Sequence, residues 1–519
     1  MATLVRAPEA APPPPARERR IGDVAVIVGP VALAVALCLY ELTGRSLWLD
    51  EAATVAIAGQ HGSALWSAIS HDGGNMLGYY AVVHVVIGVF GSSPVVIRAP
   101  SALAYAGLVP TSFFLMRRLF GRRAAVMSAF LVPASSSLVL WGQQARGFLP
   151  AAFGVTAAAL ALVVAVQERV RWAWAAFALA AVFALYMDLL TGLVILGFLG
   201  ALAMLPPGCV PRRRLLAAAL AVGAAGVPLL LVALHRGTDQ LDWIPRPTWP
   251  VVRRFLRFFV SAPGNNAVAI LVGGAVVIAG VAAMVTAVRR ARSFEAFASG
   301  LLVLWVLLPL LVLTGVTTVH PVLWDRYVLV LAPAVAMLVA LLCSRIRPVL
   351  LGWGAGAALM ALHLWTLDAI VPYDEDWIGA TSYVLSESQP QDCVAFFVAD
   401  GFPAFAYEEL RLGAGQPPRS VLPAARYSDK TPFVLDPEIF PKDRLASVTA
   451  QCPRLWLVQT HQYGQPPESG APPYRVKVYR DRAELLSELS GPYKVVDEQA
   501  FTYVEVRLYT TRSGSRAGT

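Results

Sequence analysis

The sequence predicts a polytopic α-helical membrane protein with about eleven transmembrane helices and a small α/β domain at its C-terminus. The first observation is composition: 57% of the 519 residues are hydrophobic and 14% are charged. The second is a series of apolar runs, many of them long enough for a membrane-crossing helix, which needs about 20 residues. The third is a change after residue 370, where charges, prolines and short β-rich runs appear.

The apolar runs follow one another at short intervals through the first 370 residues. Residues 1–20 are rich in proline and alanine and end in arginines, which predicts a disordered cytoplasmic tail. Residues 21–370 form the predicted transmembrane domain. Its predicted spans are residues 24–42, 98–116, 124–142, 149–166, 172–187, 189–206, 215–234, 266–288, 297–317, 327–343 and 349–367.

The distribution of arginine predicts the orientation of these spans. The net charge of +9 comes mostly from arginine, and much of it lies in short loops between apolar runs. Loops of this kind face the cytoplasm, so the pattern does not indicate a nucleic-acid-binding surface. The arginine-rich loops are residues 117–123, 169–171, 212–214, 289–292 and 345–347. We therefore predict a plasma-membrane protein with a cytoplasmic N-terminus and an extracytoplasmic domain at residues 371–519.

The apolar segment Met76–Phe90 would invert this orientation if it crossed the membrane. If this segment does not cross the membrane, all five arginine-rich loops lie on the cytoplasmic side. The sequence therefore predicts one large outer loop, residues 43–97, built from helices at the membrane surface. A second outer loop contains the basic and aromatic segment Arg253–Phe259, which suits either an anionic membrane surface or a solvated loop.

The C-terminal region alternates short apolar runs with amphipathic segments. Residues 393–398 and 455–458 are predicted strands, residues 377–388 and 482–489 are predicted helices, and residues 495–509 would supply the closing strands. Cys393 opens the first strand and Cys452 precedes the second. In an oxidising compartment these two cysteines could form a disulfide.

The adjacent carboxylates Asp50 and Glu51 follow the first apolar run almost directly. Charges beside the hydrocarbon core are unfavourable and tend to be functional. Asp50 could act as a general base that takes a proton from a sugar hydroxyl. The alternative is a solvated pair that caps the next helix.

The order of several motifs resembles that of the GT-C superfamily of membrane glycosyltransferases, especially bacterial relatives of protein O-mannosyltransferases and aminoarabinose transferases. Gln144 stands where that pattern usually has Glu, Phe148 replaces the usual Tyr, and Met76 and Gly78 interrupt the second motif. The matching segments are Ser46–Glu51, His71–Asn75 with Leu77–Tyr80, Arg98–Leu103, Arg118–Arg123, Trp141–Phe148, Asp325–Tyr327 and Glu375–Ala380.

The resemblance implies an inverting transferase that moves a sugar from a polyprenyl-phosphate donor to a glycolipid, glycan or protein acceptor. Asp50 would be the base, and Glu51 would orient it, orient the acceptor or exchange roles with it. Arg326, Arg146 and His320 would hold the donor phosphate. The residues assigned to the donor and acceptor pocket are Trp48, Asp72, Tyr79, Tyr80 and Gln144.

Each assignment has an alternative. Arg326 could anchor a helix at the headgroups, Arg146 could pair structurally with a first-loop carboxylate, and His320 and the aromatic residues could be interfacial. Mannose is the favoured sugar by its frequency in the family, with arabinose and glucose as alternatives. No cofactor is expected, although Asp50, Glu51 and Asp72 share one loop and could hold a divalent ion. A lipid-linked sugar transporter or flippase and a non-catalytic scaffold are the competing classes of function.

Overall fold

The computed structural model describes most of the chain. The residues described are 16–40, 42–72, 74–236, 241, 243–259, 266–365, 367, 375–398, 401–413, 417–422, 442–460, 466–467 and 471–512. The first helix begins at Ala16, so the last five residues of the predicted disordered tail are helical instead. Residues 1–15 and the predicted domain boundary at residue 370 lie outside the described residues.

Helices dominate the part of the chain before residue 370. They are α1 (Ala16–Leu39), α2 (Leu49–Ala58), α3 (Gly62–His71), α4 (Leu77–Phe90), α5 (Pro94–Phe120), α6 (Arg122–Ala134), α7 (Ser136–Gly142), α8 (Phe148–Glu168), α9 (Arg171–Met187), α10 (Thr191–Leu202), α11 (Arg212–Arg236), α12 (Trp249–Phe259), α13 (Asn266–Arg289), α14 (Phe294–Thr317), a 3-10 helix (Asp325–Leu331), α15 (Ala332–Arg345) and α16 (Val349–Trp365).

Seven helical segments in the described residues are long and apolar enough to cross a membrane. Each of the eleven predicted spans coincides with an apolar helix. Seven of them meet this length criterion, and an eighth is the pair α6 and α7, which is bent by 58°. The other three correspond to the shorter helices α9, α10 and α16. The chain is a multi-pass membrane protein.

The predicted cytoplasmic loops gather at one end of the helix bundle. Arg118 pairs with Glu168 at 2.6 Å, and Arg214 donates to the carbonyl of Arg169 at 2.7 Å. Arg123 donates to the carbonyl of Ile346 at 3.2 Å. These contacts join four of the five arginine-rich loops, which is the arrangement expected if they face the same side of the membrane.

Helix α4 begins and ends at the opposite end of the bundle. Just before it, the Asn75 side chain accepts a hydrogen bond from the backbone of Leu189, between α9 and α10, at 3.1 Å. Just after it, the Ser92 carbonyl accepts a hydrogen bond from Tyr407 of the C-terminal domain at 2.8 Å. A helix with both ends on one side does not cross the bilayer.

The C-terminal domain is a five-stranded mixed sheet covered by helices. Its sheet order is β2-β1-β3-β5-β4, with β1 parallel to β2 and β3, and β5 antiparallel to β3 and β4. A disulfide joins Cys393 to Cys452. The elements are α17 (Trp377–Glu387), β1 (Cys393–Phe397), α18 (Gly401–Leu412), β2 (Arg419–Leu422), α19 (Lys442–Gln451), β3 (Arg454–Thr460), α20 (Pro473–Ser490), β4 (Tyr493–Phe501) and β5 (Val504–Thr511).

The side chains on the two faces of this sheet belong to different cores. Leu455 and Leu457 of β3 pack with buried residues of α19 and α20. Trp456 and Val458 point to the other face, because side chains alternate along a strand. That second core contains α17, α18 and also Leu49 of the first loop. The C-terminal domain is therefore packed directly on the loop that carries the acidic pair.

Candidate active site

Asp50 lies in the first turn of α2, where its carboxylate meets two arginines from distant loops. Arg326 Nη1 donates to Asp50 Oδ2 at 2.6 Å. Arg146 Nη2 lies 3.7 Å from the same oxygen. The Asp50 side chain is 29% exposed, whereas the two arginines are 12% and 13% exposed. The site is thus a partly open carboxylate backed by two largely buried cations.

Arg146 is held by several contacts at the start of α8. Its Nη1 donates to the carbonyl of Asp50 at 3.3 Å and to the Thr54 hydroxyl at 3.2 Å. A Cβ on the following residue, Gly147, would lie 2.5 Å from the carbonyl oxygen of Met187. A side chain at this position would therefore push the Arg146 loop away from α9.

Arg326 lies in the 3-10 helix before α15, with its guanidinium between aromatic rings. Its Cζ lies 4.6 Å from the ring centroid of Trp243 and 5.6 Å from that of Tyr327. Stacking of this kind suits arginine because its planar cation is weakly hydrated. Arg326 is therefore held by Trp243, Tyr327 and Asp50 together. A residue that only anchored a helix at the headgroups would not require these contacts.

Glu51 is fully buried and contacts a different arginine from those that meet Asp50. It forms a two-pronged ion pair with Arg98, with Nε to Oε1 at 2.9 Å and Nη2 to Oε2 at 2.7 Å. The backbone N–H of Ala145 also donates to Glu51 Oε1 at 2.7 Å. Arg98 in turn donates to the carbonyls of Leu42 and Ser46. Through these contacts Glu51 joins α2 to α5 and to the loop that carries Arg146.

Asp72, Tyr79 and Tyr80 line the same region from α3 and α4. The Tyr80 hydroxyl donates to Asp72 Oδ2 at 2.5 Å. The Tyr79 hydroxyl lies 3.1 Å from the Ser101 hydroxyl, which donates to the carbonyl of Arg146 at 2.9 Å. Both tyrosines are fully buried. They therefore pack beneath the site instead of presenting a surface to a substrate.

Trp48 and Gln144 are buried beside the site. The Trp48 ring meets Trp141 edge-on at a centroid distance of 6.3 Å, and Trp141 meets Phe148 at 4.8 Å. Gln144 is 7% exposed, and its Oε1 has no hydrogen-bond partner among the described residues. Trp48, Trp141 and Phe148 thus form a continuous series of ring contacts next to the loop that carries Arg146.

His320 is not brought into contact with these groups. Its backbone N–H bonds to the carbonyl of Val316, and its Nε2 is buried without a hydrogen bond to any described residue.

Asp188 is a buried carboxylate that the sequence analysis did not assign to the site. This carboxylate lies between α9 and α10, is 1% exposed and accepts the N–H of Leu190 at 2.9 Å. Burial raises the pKa of Asp188 to about 7, while the Leu190 N–H and the Arg146 charge act in the opposite direction. Its burial could not be predicted from a position at the end of an apolar run.

The three carboxylates considered for a cation have three different partners. Asp50 meets Arg326, Glu51 meets Arg98, and Asp72 meets Tyr80. Among the described residues, no three His, Cys, Asp or Glu side chains are close enough to hold a metal ion.

The fold can be compared with proteins of known structure. No family model matches the sequence, and no curated protein sequence matches it either. ArnT from Cupriavidus metallidurans bound to undecaprenyl phosphate is similar over 96% of this chain and 99% of its own, with a TM-score of 0.57 and 14% identity. The chain has the GT-C fold. Apo ArnT from the same organism gives a TM-score of 0.58 at 14% identity, with 94% and 98% of the two chains covered.

The GT-C fold also includes an oligosaccharyltransferase. The archaeal oligosaccharyltransferase AglB from Archaeoglobus fulgidus, in complex with an inhibitory peptide and a dolichol-phosphate, gives a TM-score of 0.52 at 11% identity. The similarity covers 95% of this chain and 75% of AglB. The GT-C fold seen in these comparisons thus extends over the transmembrane and C-terminal parts of the chain.

Proposed function

We propose that this protein is an inverting glycosyltransferase that moves a sugar from a polyprenyl-phosphate donor to a cell-envelope acceptor. The proposed reaction takes place at the outer face of the plasma membrane. The observation that carries the proposal is the meeting of Asp50 with Arg326 at 2.6 Å and with Arg146 at 3.7 Å. This arrangement offers a base and two phosphate-binding cations in one partly open site.

In the proposed mechanism Asp50 takes the proton of an acceptor hydroxyl as its oxygen attacks the anomeric carbon. The new glycosidic bond forms while the bond to the phosphate oxygen breaks, and the electron pair leaves with the phosphate. Both arginines approach Oδ2 of Asp50, so we assign the proton to the other carboxylate oxygen, Oδ1. A single displacement from the face opposite the phosphate inverts the configuration.

Arg326 and Arg146 would stabilise the charge that the leaving phosphate acquires. Arginine presents five N–H donors in a planar fork that fits phosphate oxygens. One Arg326 nitrogen contacts Asp50, so the same guanidinium can bridge the base and the phosphate. Fixed donors aimed at developing charge are commonly the largest contribution to catalysis.

Two structural neighbours support the class of donor. ArnT is described bound to undecaprenyl phosphate, and AglB in complex with a dolichol-phosphate. Both ligands are polyprenyl phosphates, which suits a site with two arginines. We propose mannose as the sugar, with a pentose such as arabinose as the alternative, and a glycolipid, glycan or protein as the acceptor. We also propose that no metal cofactor takes part.

The test is sugar transfer by the purified protein in nanodiscs. Polyprenyl-phosphate mannose and polyprenyl-phosphate arabinose are offered in parallel, each with a membrane glycolipid extract and with or without a chelator. Asp50→Ala runs beside the wild type, and Glu168→Gln is the matched control, because Glu168 forms an arginine pair of the same 2.6 Å length at the other end of the bundle.

Transfer that Asp50→Ala abolishes, that Glu168→Gln retains and that the chelator does not reduce is the expected result. We expect the loss to be at least about 10²-fold, the lower end for a positioned general base. Net movement of an intact donor across the bilayer without turnover would instead favour a lipid-linked sugar flippase.

A further inference from the structure

The C-terminal domain contacts the polypeptide just before Asp50 at two points. Just before it, the N–H of Leu49 donates to Glu375 Oε2 at 3.1 Å. Further back, the Ser46 hydroxyl accepts the N–H of Ile378 at 2.9 Å. Glu375 and Ile378 both belong to the start of the C-terminal domain. The segment that ends in Asp50 is thus hydrogen-bonded to a different domain at two points.

The Glu375 side chain is buried and is held by a second hydrogen bond. It is 8% exposed, and its Oε2 also accepts the indole N–H of Trp377 at 2.7 Å. Trp377 is itself fully buried in the core that Leu49 shares with α17 and α18. The rotamer of the Glu375 side chain is therefore set by two donors and by packing, as a precise contact requires.

The backbone N–H that Glu375 accepts belongs to the first residue of α2. The first N–H groups of a helix have no partner within the helix, and a carboxylate beside them is favourable. The residue before α2, Trp48, makes no capping hydrogen bond with its side chain. Glu375 supplies from another domain the acceptor that a capping side chain within the loop would otherwise provide.

We propose that Glu375 is a positioning residue for the transfer reaction, acting through the N–H of Leu49 to fix the first turn of α2 and hence the Asp50 carboxylate. This inference rests on the proposed function, and it assigns the C-terminal domain a part in the chemistry. Asp50 must stay within hydrogen-bond reach of its substrate, and a misplacement of about 1 Å can reduce the rate about 10²-fold.

The experiment compares two substitutions of Glu375 with one substitution elsewhere in the same domain. Glu375→Gln keeps an oxygen that can accept both donors, whereas Glu375→Ala removes it. The matched control is Asp392→Ala, because Asp392 is also buried and accepts the indole N–H of Trp456 at 2.9 Å, but within the C-terminal domain alone. All three are assayed in nanodiscs below their unfolding temperatures.

We expect Glu375→Ala to lower kcat by about 10- to 100-fold with the donor KM unchanged, because the arginines are untouched. Glu375→Gln should restore most of this loss, and Asp392→Ala should retain the wild-type kcat. A wild-type kcat in Glu375→Ala, or an equal loss in Asp392→Ala, would overturn the proposal.

A second measurement does not require activity. Hydrogen exchange of the peptide that covers α2 should become faster in Glu375→Ala and stay near wild type in Glu375→Gln and Asp392→Ala. If the wild type transfers no sugar but this exchange pattern appears, the proposed function fails while the contact stands. Unchanged exchange in Glu375→Ala would disprove the positioning role whatever the activity.

Discussion

The Arg326 guanidinium lies 2.6 Å from the Asp50 carboxylate, although 276 positions separate the two residues in the chain. The first loop and the 3-10 helix before α15 therefore form one site in the folded protein. Arg146 approaches the same carboxylate oxygen from a third loop.

Arg326→Lys should impair transfer although it keeps the positive charge. Lysine cannot bridge a carboxylate and a phosphate with a planar fork, and it does not stack on Trp243 as arginine does. We expect kcat to fall by about 10²-fold, the lower range for loss of one aligned donor. Steady-state transfer kinetics check this result. Arg118→Lys is the control, since Arg118 pairs with Glu168 at the same distance at the opposite end, and it should transfer at the wild-type rate.

Glu51→Gln should lower stability as well as activity. The substitution leaves the Arg98 guanidinium buried without its carboxylate, and breaking a buried ion pair commonly destabilises a protein by about 3–5 kcal/mol. The thermal unfolding midpoint in detergent measures the loss. The double variant Glu51→Leu with Arg98→Met should recover part of it, because no buried charge remains. If Glu51→Gln kept wild-type stability and lost only turnover, Glu51 would belong with the catalytic groups instead.

Asp188 should make the protein less stable as the pH rises. Burial places the pKa of Asp188 at about 7, above its ordinary value of 3.8, so the folded state holds this proton more tightly than the unfolded state. Its effect on stability is therefore most favourable below pH 4 and is lost as the pH rises through 7. Asp188→Asn should flatten this decline and raise the unfolding midpoint at pH 8. An unchanged difference between the two proteins from pH 4 to pH 8 would contradict the shift.

Cys393 and Cys452 should resist alkylation in the denatured, unreduced protein, whereas Cys38, Cys209 and Cys343 should be labelled. Peptide mass spectrometry reads out both groups. Replacing both disulfide cysteines by serine should destabilise the C-terminal domain, with about 2–5 kcal/mol as the usual loss for a native disulfide. Labelling of all five cysteines without reduction would show that the pair is not joined in the cell.

Several parts of the architecture could be predicted because they depend on local properties. The length of an apolar run can be read from the sequence without knowing what packs against it. The predicted spans therefore coincide with helices. The side on which an arginine-rich loop lies depends on the membrane and not on helix packing. This explains why Arg118, Arg123 and Arg214 lie at the same end of the bundle. The bend between α6 and α7 and the early end of α10 were not predicted, because packing against neighbouring helices sets them.

The site likewise has features that the sequence predicted and features that it did not. The order of the motifs was enough to select Asp50, Arg146 and Arg326 as candidates, and the structure places them together. Glu51 pairs with Arg98 instead, and the His320 Nε2 is buried without a hydrogen bond among the described residues. Neighbours in sequence point to different sides of a helix or loop, and sequence spacing alone does not show which side faces the site.

The sequence by itself determined the class of fold, the positions of the spans and the chemistry available at the end of the first loop. These features follow from hydrophobic length, charge distribution and residue type. Only the tertiary structure decided which carboxylate meets the arginines, that Asp188 is buried, and that Glu375 reaches the N-terminus of α2 from another domain. Burial and hydrogen bonding between distant segments arise when the whole chain packs, and no local pattern encodes them.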